Sequence, residues 1–208
     1  MNLKARNDVH LARRIWHFCG VMVAFTAFSL LSAEASRIVA ICVTLPLVSL
    51  DIARLNSEKI NQGFLTLFRP FLRDTERHQL AGSTSMLIGI SAIIFLFPRD
   101  VVLTTMLFVA VADPAASYFG VRFGRDKLIG NKSLQGTMAA FFACFLLALF
   151  FYYAKDLMRE RLFIVCLLSA LIGAISELLP LGRLDDNLIF PVLNATLLTG
   201  LFYIFGGL

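Results

Sequence analysis

Carboxylates interrupt segments of this sequence that are otherwise apolar. Asp51, Asp113 and Glu177 lie within such segments, and Asp185 and Asp186 directly precede the last one. Ionisable residues in long apolar segments are costly to bury and usually mark a functional site. Carboxylates can bind a divalent cation or exchange a proton with a substrate. The acids therefore predict a polar reaction or binding site beside apolar helices.

A basic, glycine-rich stretch adds chemistry of a second kind. It carries four glycines and four cations: Gly120, Arg122, Gly124, Arg125, Lys127, Gly130, Lys132 and Gly136. Glycines let backbone N–H groups approach an anion, and lysine binds phosphate as a point charge. Lys132-Ser133 leads into the next apolar segment, so the positive end of a helix dipole lies nearby. Together with the carboxylates this stretch predicts a phosphate and Mg²⁺ site, although basic loops also arise from membrane topology.

The elements that must position these residues are membrane helices. Of the 208 residues, 58% are apolar and only 16% are charged, against about a quarter charged in a soluble domain. This composition excludes soluble, disordered and small secreted proteins. The net charge of +5 favours lipid head groups or phosphates as partners, and we expect no nucleic acid. The sequence predicts an all-α integral membrane protein with one polytopic domain over residues 1–208.

Seven apolar segments approach the length of about 20 residues that a bilayer requires. They are Ile15–Ala33, Ile38–Ala53, Ser83–Pro98, Val101–Phe119, Met138–Ala154, Leu162–Leu179 and Leu188–Leu208. The second and third are the shortest, and the second also contains Pro46 and Asp51. We therefore expect about seven transmembrane helices.

The four cysteines all lie inside these apolar segments, with no CxxC spacing. This pattern is typical of buried thiols and indicates neither a disulfide framework nor a metal site.

The orientation follows from the loops. Fourteen of the 19 Lys and Arg residues fall on the N-terminal side of the membrane, among them Lys4, Arg6 and Arg183. The positive-inside rule then predicts a cytoplasmic N-terminus. The embedded acids and all three histidines (His10, His17 and His78) share that side, whereas a transport pathway would also need polar groups near the midplane. A signal peptide ending at residues 33–35 is a competing interpretation, but its apolar region would exceed the usual length of about 7–15 residues.

Residues 55–73 carry an amphipathic pattern instead of a span. Apolar residues recur at helical spacing: Ile60, Phe64, Leu67, Phe68 and Phe71. An amphipathic helix lying in the membrane interface fits this pattern, and a helix packed against loops fits it equally well.

The residues around the fourth segment resemble a known family signature. Asp113-Pro-Ala-Ala-Ser117, Gly120, Gly124, Lys132-Ser133 and Gly136 are similar to the D-x-x-A…G-x-x-x-G…K-S-x-x-G pattern of the CTP-dependent lipid kinases. These are the dolichol kinase, phytol kinase and yeast-type diacylglycerol kinase group, distantly related to phosphatidate cytidylyltransferase.

Three further segments resemble the family in the same order. Arg13-Arg14-Ile-Trp-His17-Phe-Cys-Gly20 is similar to its opening R-[RK]-x-x-H-x-x-G. Glu76 with Leu80-Ala-Gly82-Ser83 resembles E…L-x-G-[AS], and Glu177, Asp186-Asn187 and Pro191 resemble the closing E…D-N…P. The resemblance covers the chain from residue 13 to residue 195.

Two positions depart from the family pattern. Ala112 stands where the family often has Gly, and Gln135 where it often has Glu. The second change removes one candidate metal ligand or base. The chain also lacks the extra N-terminal spans of eukaryotic dolichol kinases. We therefore expect a bacterial or archaeal member in the cell inner membrane, with its active site facing the cytoplasm.

The resemblance implies transfer of the γ-phosphoryl group of CTP to the hydroxyl of a lipid alcohol: polyprenol, dolichol, phytol or diacylglycerol. Such a reaction depends on positioning and on charge neutralisation by Mg²⁺ and cations. Asp113 would be the main Mg²⁺ ligand, Lys132 would hold the phosphates, and Ser133 would donate a hydrogen bond to them. Asp186 and Glu177 would form a second metal site or provide the base.

The remaining site residues implied by the resemblance and the basic loop concern the nucleotide. His17 would bind phosphate or act as a base, and Asn187 would contact the nucleotide base or ribose. The other predicted nucleotide-binding residues are Arg14, Glu76, Arg122, Arg125 and Gly136.

Each prediction has a structural alternative. Asp113 fits a helix-capping or interhelical polar contact, and Asp51 fits an interhelical contact. Lys132 fits a topology charge, and His17 fits a hydrogen-bonded structural histidine. Asp186 fits the N-cap of the last helix.

Further alternatives concern the neighbours of the motif residues. Glu76 fits a pair with Arg73 or Arg77, and Gly120 with Gly124 fits close helix packing.

Two rival functions remain open from the sequence. A cytidylyltransferase would share the acids and the basic loop but would move CMP onto a lipid phosphate. A small transporter would use Asp51, Asp113 and Glu177, against which stand the one-sided acids and the lack of an inverted repeat.

Overall fold

The computed structural model describes residues 11–180 and 184–208. Within these ranges the chain forms eight α-helices: α1 Leu11–Leu30, α2 Ala33–Leu55, α3 Glu58–Leu67, α4 Gly82–Leu96, α5 Arg99–Phe123, α6 Leu134–Ala154, α7 Leu162–Leu178 and α8 Asp186–Phe205. It also forms 3-10 turns at Arg69–Phe71, Asp74–Arg77 and Arg159–Arg161. One hairpin pairs β1 (Lys127–Ile129) with β2 (Lys132–Ser133). The hairpin is an element that the sequence analysis does not predict.

Each of the seven predicted apolar segments coincides with a helix. The boundaries differ most at α2, which has 23 residues, continues past Pro46 and includes Ala33 from the first predicted segment. Ser32 starts this helix, because its Oγ accepts the N–H of Ala35 at 3.2 Å. Capping of this kind satisfies an orphan N–H of the first turn.

Five helical regions in the described part are long and apolar enough to cross a membrane. They are α2, α5, α6, α8 and the region Arg159–Leu178 that contains α7. Helix α4 is a shorter apolar helix of 15 residues. This helix content confirms an all-α membrane protein. The number of seven spans and the cytoplasmic N-terminus stay predictions, and Lys4, Arg6, His10 and Arg183, on which the orientation partly depends, lie outside the described residues.

Helix α5 lies at the centre of the bundle. It contacts α1, α6, α7 and α8, and its side chains Val101, Met106 and Phe108 are fully buried. A Cβ atom at Gly173 of α7 would lie 3.0 Å from Phe108 Cδ2, so a small residue is needed for this approach. Small residues at such interfaces are typical of membrane helices. The central position lets α5 present its C-terminal half to several neighbours at once.

The cysteines correct one prediction. All four are free thiols, in agreement with the absence of a disulfide framework. Cys144 and Cys166 are buried, whereas Cys19 and Cys42 are exposed, so the prediction of burial is wrong for these two. The physical reason is that a membrane helix also presents apolar side chains to lipid, and an apolar segment therefore does not imply burial inside the protein.

The two ends of the bundle carry different groups. At one end Arg99 of α5 donates to the carbonyl oxygens of Phe28 and Leu31, at 2.6 and 3.0 Å, and so closes the end of α1. At the other end the starts of α1, α4, α6 and α8 meet the ends of α2, α5 and α7. The predicted site residues belong to this second end.

A buried ion pair ties α2 to the segment before α4. Arg54 pairs with Asp51, and both are at most 1% exposed. Arg54 also donates to the carbonyl oxygens of Glu76 and Gln79, at 3.1 and 2.8 Å. Asp51 Oδ2 accepts the N–H of Ala81 at 2.8 Å. Asp51 therefore joins α2 to Ala81, the N-cap of α4, which is a contact between helices as the sequence suggests.

The predicted amphipathic helix is present as α3. Leu65 is buried with Leu72 and Ala81, and Phe64 and Phe68 pack against them. The part of the predicted pattern at Ile60 and Leu67 is exposed instead. The face of α3 that carries Phe64 and Leu65 therefore packs against the following loop. The location of α3 in the membrane interface stays a prediction.

Candidate active site

The predicted basic loop is the hairpin that connects α5 to α6. Gly130 turns it with a φ of +55°, a left-handed conformation that favours glycine. Gln135 holds its base, because Oε1 accepts the N–H groups of Arg125 and Asp126, at 3.1 and 3.4 Å, and Nε2 donates to Asp126 Oδ2 at 2.7 Å. Gln135, where the chain departs from the family pattern, therefore positions the hairpin.

Helix α6 begins at the end of the hairpin. Ser133 is its N-cap, is 2% exposed and accepts the N–H of Gly136 at 3.3 Å. A Cβ atom at Gly136 would lie 2.6 Å from the carbonyl oxygen of Ala116 and 3.2 Å from Gly120 Cα. The motif glycines thus allow α5 and α6 to pack closely, as the structural alternative proposes.

A cavity of about 400 Å³ lies where the hairpin, α5, α6, α7 and α8 meet. Six predicted site residues line it: Asp113, Lys132, Ser133, Gly136, Glu177 and Asp186. Its volume falls within the range of about 300–1,000 Å³ that is usual for small-molecule sites. Cations, carboxylates and a helix N-terminus in one cavity can hold a phosphorylated ligand together with a divalent cation.

Lys132 is fixed by the end of α7. Its Nζ lies 3.2 Å from Glu177 Oε1 and also donates to the Glu177 backbone carbonyl. The side chains are 23% and 9% exposed, respectively. An ammonium group has three N–H donors, so one remains for a ligand in the cavity.

Asp113 lies in a field of mixed charges. The charged groups that act on it are Arg73, Lys132, Arg13 and Asp186. A second carboxylate and several cations thus act on Asp113. A divalent cation bound between two such carboxylates would offset the repulsion between their negative charges.

The two aspartates before α8 have separate roles. Asp185 is the N-cap, because its Oδ1 accepts the N–H of Asn187 at 2.8 Å. Asp186 is the first residue of the helix and lines the cavity. The N-cap role that the sequence suggests for Asp186 is therefore taken by Asp185.

A second, smaller cavity of about 20 Å³ adjoins the first. Both are lined by Asp113, Lys132, Glu177 and Asp186. His17 and Asn187 line the smaller cavity as well. His17 is 7% exposed, and its Nε2 lies 3.3 Å from Ser83 Oγ. The histidine is thus hydrogen-bonded and also lines the cavity, so its two interpretations are compatible.

Arg14 supports the larger cavity from behind its wall. Its Nη2 donates to Ser117 Oγ at 2.7 Å, and Ser117 lines the cavity. Arg14 also interacts electrostatically with Asp113. The arginine is therefore next to the site without lining it.

Glu76 forms a buried ion pair. Its Oε1 lies 2.6 Å from Arg13 Nη1 and accepts the N–H of Gly82 at 3.0 Å. Its Oε2 accepts the backbone N–H of Arg73 at 3.0 Å. Glu76 therefore pairs with Arg13 of α1 and also bonds the backbone of Arg73. Glu76 thereby fixes the segment that carries Arg73.

The structure also shows which residues the sequence interpretation overestimates or misses. Arg122 and Arg125 are exposed and line neither cavity, so their nucleotide contacts stay predictions. Arg73 and Ser117 line the larger cavity but have no predicted site role. Ser117 follows Asp113 by four residues on α5, a spacing that puts both on one helix face. For Arg73 the sequence offers no comparable signal.

Among the described residues, no group of three or more His, Cys, Asp or Glu side chains forms a metal site by itself. Mg²⁺ usually takes one or two carboxylates and completes its shell with substrate phosphates and water. Asp113 and Asp186, which share a cavity with Lys132, fit that requirement.

Comparison with known proteins identifies several relatives of the chain. The chain is 29% identical over 164 residues to CTP-dependent diacylglycerol kinase 1 of Schizosaccharomyces pombe, covering 74% of this chain and 75% of that protein. It is 27% identical over 165 residues to the protein of the same name in Saccharomyces cerevisiae, covering 70% of this chain and 57% of that protein. An uncharacterized protein of Rickettsia prowazekii is 25% identical over 191 residues, which are 89% of this chain and 91% of that protein.

No family model and no solved structure matches the chain. The chain spans three quarters of the fission yeast relative and just over half of the budding yeast one. The matched relatives of stated activity are all named as CTP-dependent diacylglycerol kinases. These similarities support the resemblance of the chain to the CTP-dependent lipid kinase family.

Proposed function

We propose that this protein transfers the γ-phosphoryl group of CTP to the hydroxyl of a membrane lipid alcohol. The observation that carries the proposal is the convergence of Asp113, Lys132, Glu177 and Asp186 on one cavity beside the start of α6. The names of the yeast relatives favour diacylglycerol over polyprenol, dolichol or phytol as the acceptor.

The larger cavity is the proposed site of the CTP phosphates. In this proposal the third N–H of Lys132 donates to a phosphate oxygen, and the Ser133 hydroxyl keeps its own hydrogen for donation while its oxygen caps α6. Asp113 and Asp186 would hold Mg²⁺, which neutralises phosphate charge when bound. Arg73 adds a cation that the sequence interpretation leaves out.

The reaction then needs a proton acceptor beside the lipid hydroxyl. In our proposal the hydroxyl oxygen attacks the γ-phosphorus, the bond from that phosphorus to the β–γ bridging oxygen breaks, and CDP leaves. The hydroxyl proton passes to the carboxylate of Glu177, which lines both cavities. Lys132 holds that carboxylate in place, 3.2 Å away. The products are CDP and the lipid phosphate.

The membrane geometry supports the same reaction. The site lies at one end of the apolar bundle, and a charged nucleotide and a lipid alcohol can meet only at a membrane surface. The predicted cytoplasmic N-terminus puts that surface on the cytoplasmic side, where CTP is present, and in a bacterial or archaeal cell the membrane would be the inner one.

Labelled CTP tests the proposal. Purified protein in lipid vesicles with Mg²⁺ is supplied with diacylglycerol, phytol or a polyprenol and with CTP labelled at the α or the γ phosphate. We expect label in the extracted lipid from γ-labelled CTP only. Label from α-labelled CTP onto a phosphatidate control would instead indicate the cytidylyltransferase, and no label in any lipid would contradict both enzymes and leave the transporter to be tested.

A further inference from the structure

The smaller cavity continues the larger one into the bundle. It shares four polar residues with the larger cavity, but the rest of its lining is mostly apolar: Met86, Val109, Leu179, Ile189 and Phe190. A site that is charged at one end and apolar at the other matches a lipid molecule whose single polar group must reach the phosphate. The smaller cavity therefore suits the lipid alcohol that accepts the phosphoryl group, and not the nucleotide.

One polar group in this cavity has no partner. Ser176 lines the cavity and is 2% exposed, and its Oγ has no hydrogen-bond partner within the described residues. Other hydroxyls on the helices are paired: Thr104 donates to the carbonyl of Asp100 at 2.7 Å, and Ser169 Oγ lies 2.9 Å from the Tyr152 hydroxyl. An unpaired buried hydroxyl is destabilising, so its presence beside an active site requires an explanation.

The size of the cavity limits what can pair with Ser176. A volume of about 20 Å³ has room for about one water molecule or one hydroxyl group. A phosphate group or a sugar does not fit. A hydroxyl group does, so only the polar end of the lipid would enter this cavity and the hydrocarbon that follows it would lie outside.

We propose that Ser176 binds the acceptor hydroxyl of the lipid alcohol. This inference rests on the proposed lipid kinase function and assigns to it a residue outside the family resemblance. Ser176 Oγ exchanges a hydrogen bond with the lipid hydroxyl and holds its oxygen at the boundary between the two cavities. The adjacent Glu177 lies on the same boundary, so the proton acceptor and the hydroxyl-binding residue are neighbours on α7.

Substitution of Ser176 tests the assignment through the two Michaelis constants. We expect Ser176→Ala to raise the KM for diacylglycerol by roughly threefold to tenfold, the equivalent of one lost hydrogen bond. The KM for CTP stays within about twofold, because the larger cavity is intact. The Tm in detergent is unchanged or higher, because an unpaired buried hydroxyl is removed.

Two further variants complete the experiment. Ser176→Thr keeps the hydroxyl but adds a methyl group to a cavity of about 20 Å³, so we expect it to reduce phosphoryl transfer while the KM for CTP is kept. Ser169→Ala is the matched control, because Ser169 is a fully buried serine on the same helix. It should keep both KM values and lower the Tm, since Tyr152 loses its hydrogen bond with Ser169.

The outcomes separate the two proposals. If the wild-type protein transfers no phosphate to any lipid alcohol, the proposed function fails and the role of Ser176 fails with it. If the wild type is active and Ser176→Ala leaves the KM for diacylglycerol unchanged, or raises the KM for CTP equally, only the role of Ser176 is overturned. If an ordered water molecule is the true partner of Ser176, Ser176→Ala would leave the KM for diacylglycerol unchanged.

Discussion

Lys132 Nζ lies 3.2 Å from Glu177 Oε1 and joins β2, the strand that leads into α6, to the end of α7. The contact connects the group that would hold phosphate to the group that would accept a proton. It also keeps two opposite charges together in the larger cavity, which both residues line.

Replacing Lys132 with Met removes the cation and keeps the length of the side chain. We expect kcat/KM for CTP to fall by about 10²–10³-fold, the usual effect of losing one charged donor to a transition state. Steady-state kinetics with γ-labelled CTP measure the change. The matched control is Lys155→Met, because Lys155 lies at the opposite end of the bundle, 3.9 Å from Asp100. Equal losses in the two variants would contradict a phosphate-binding role for Lys132.

Replacing Asp113 with Asn removes a charge at constant size. We expect a fall in kcat of about 100-fold or more and a higher Mg²⁺ concentration for half-maximal rate, because a metal ligand is weakened. A titration of the reaction with Mg²⁺ gives both quantities. Asp100→Asn, in the first turn of the same helix, is the control. Full turnover by a folded Asp113→Asn protein would rule out Asp113 as the metal ligand.

Replacing Glu76 with Gln leaves Arg13 as a buried cation without its counter-charge. Both side chains are 4% exposed, and the loss of one partner of a buried pair costs about 3–5 kcal/mol of unfolding free energy. Thermal unfolding in detergent measures the fall in stability. Asp74→Asn is the matched change at an exposed pair, where Arg77 is 3.9 Å away and the expected cost is about 0–1 kcal/mol. Similar Tm values for the two variants would show that the Arg13 pair does not stabilise the fold.

Replacing Gly136 with Ala forces α5 and α6 apart. The new Cβ atom would lie 2.6 Å from the Ala116 carbonyl oxygen, and overpacking of this kind costs about 1–3 kcal/mol. Because Gly136 also lines the larger cavity, we expect both the Tm and the transfer rate to fall. Gly200→Ala is the control, since no atom lies within 4 Å of its added Cβ. A stable, fully active Gly136→Ala protein would contradict the need for close packing at the motif.

The helices could be predicted because a membrane span requires a long apolar segment, and composition alone reveals one. The grouping of Asp113, Lys132 and Glu177 could also be predicted from the sequence. Asp113 and Glu177 lie towards the same side of the membrane in alternate apolar segments, and Lys132 lies in the loop on that side. The contacts that hold these side chains in place could not be predicted from the sequence. Arg14 bonds Ser117 across 103 positions of the chain, and no periodicity relates residues so far apart.

Ser176 shows a second limit of the sequence. A serine near the end of an apolar helix usually donates to a carbonyl of the preceding turn, so its residue type and position predict no functional role. Only the packing of α7 against its neighbours leaves its hydroxyl unpaired in a cavity. The exposed thiols Cys19 and Cys42 illustrate the same point, because a hydropathy pattern does not distinguish a lipid-facing side from a protein-facing one.

The buried position of Arg54 constrains how the chain enters the bilayer during its synthesis. Its carbonyl partners at Glu76 and Gln79 lie 22 and 25 positions further along the chain, so the ribosome completes α2 before they exist. A guanidinium group that leaves water without its full set of partners is strongly destabilising. The end of α2 must therefore stay hydrated until the entrance of α4 has emerged. Insertion of α2 is thus coupled to insertion of α4. A chain truncated before residue 76 would leave Arg54 without its carbonyl partners at Glu76 and Gln79.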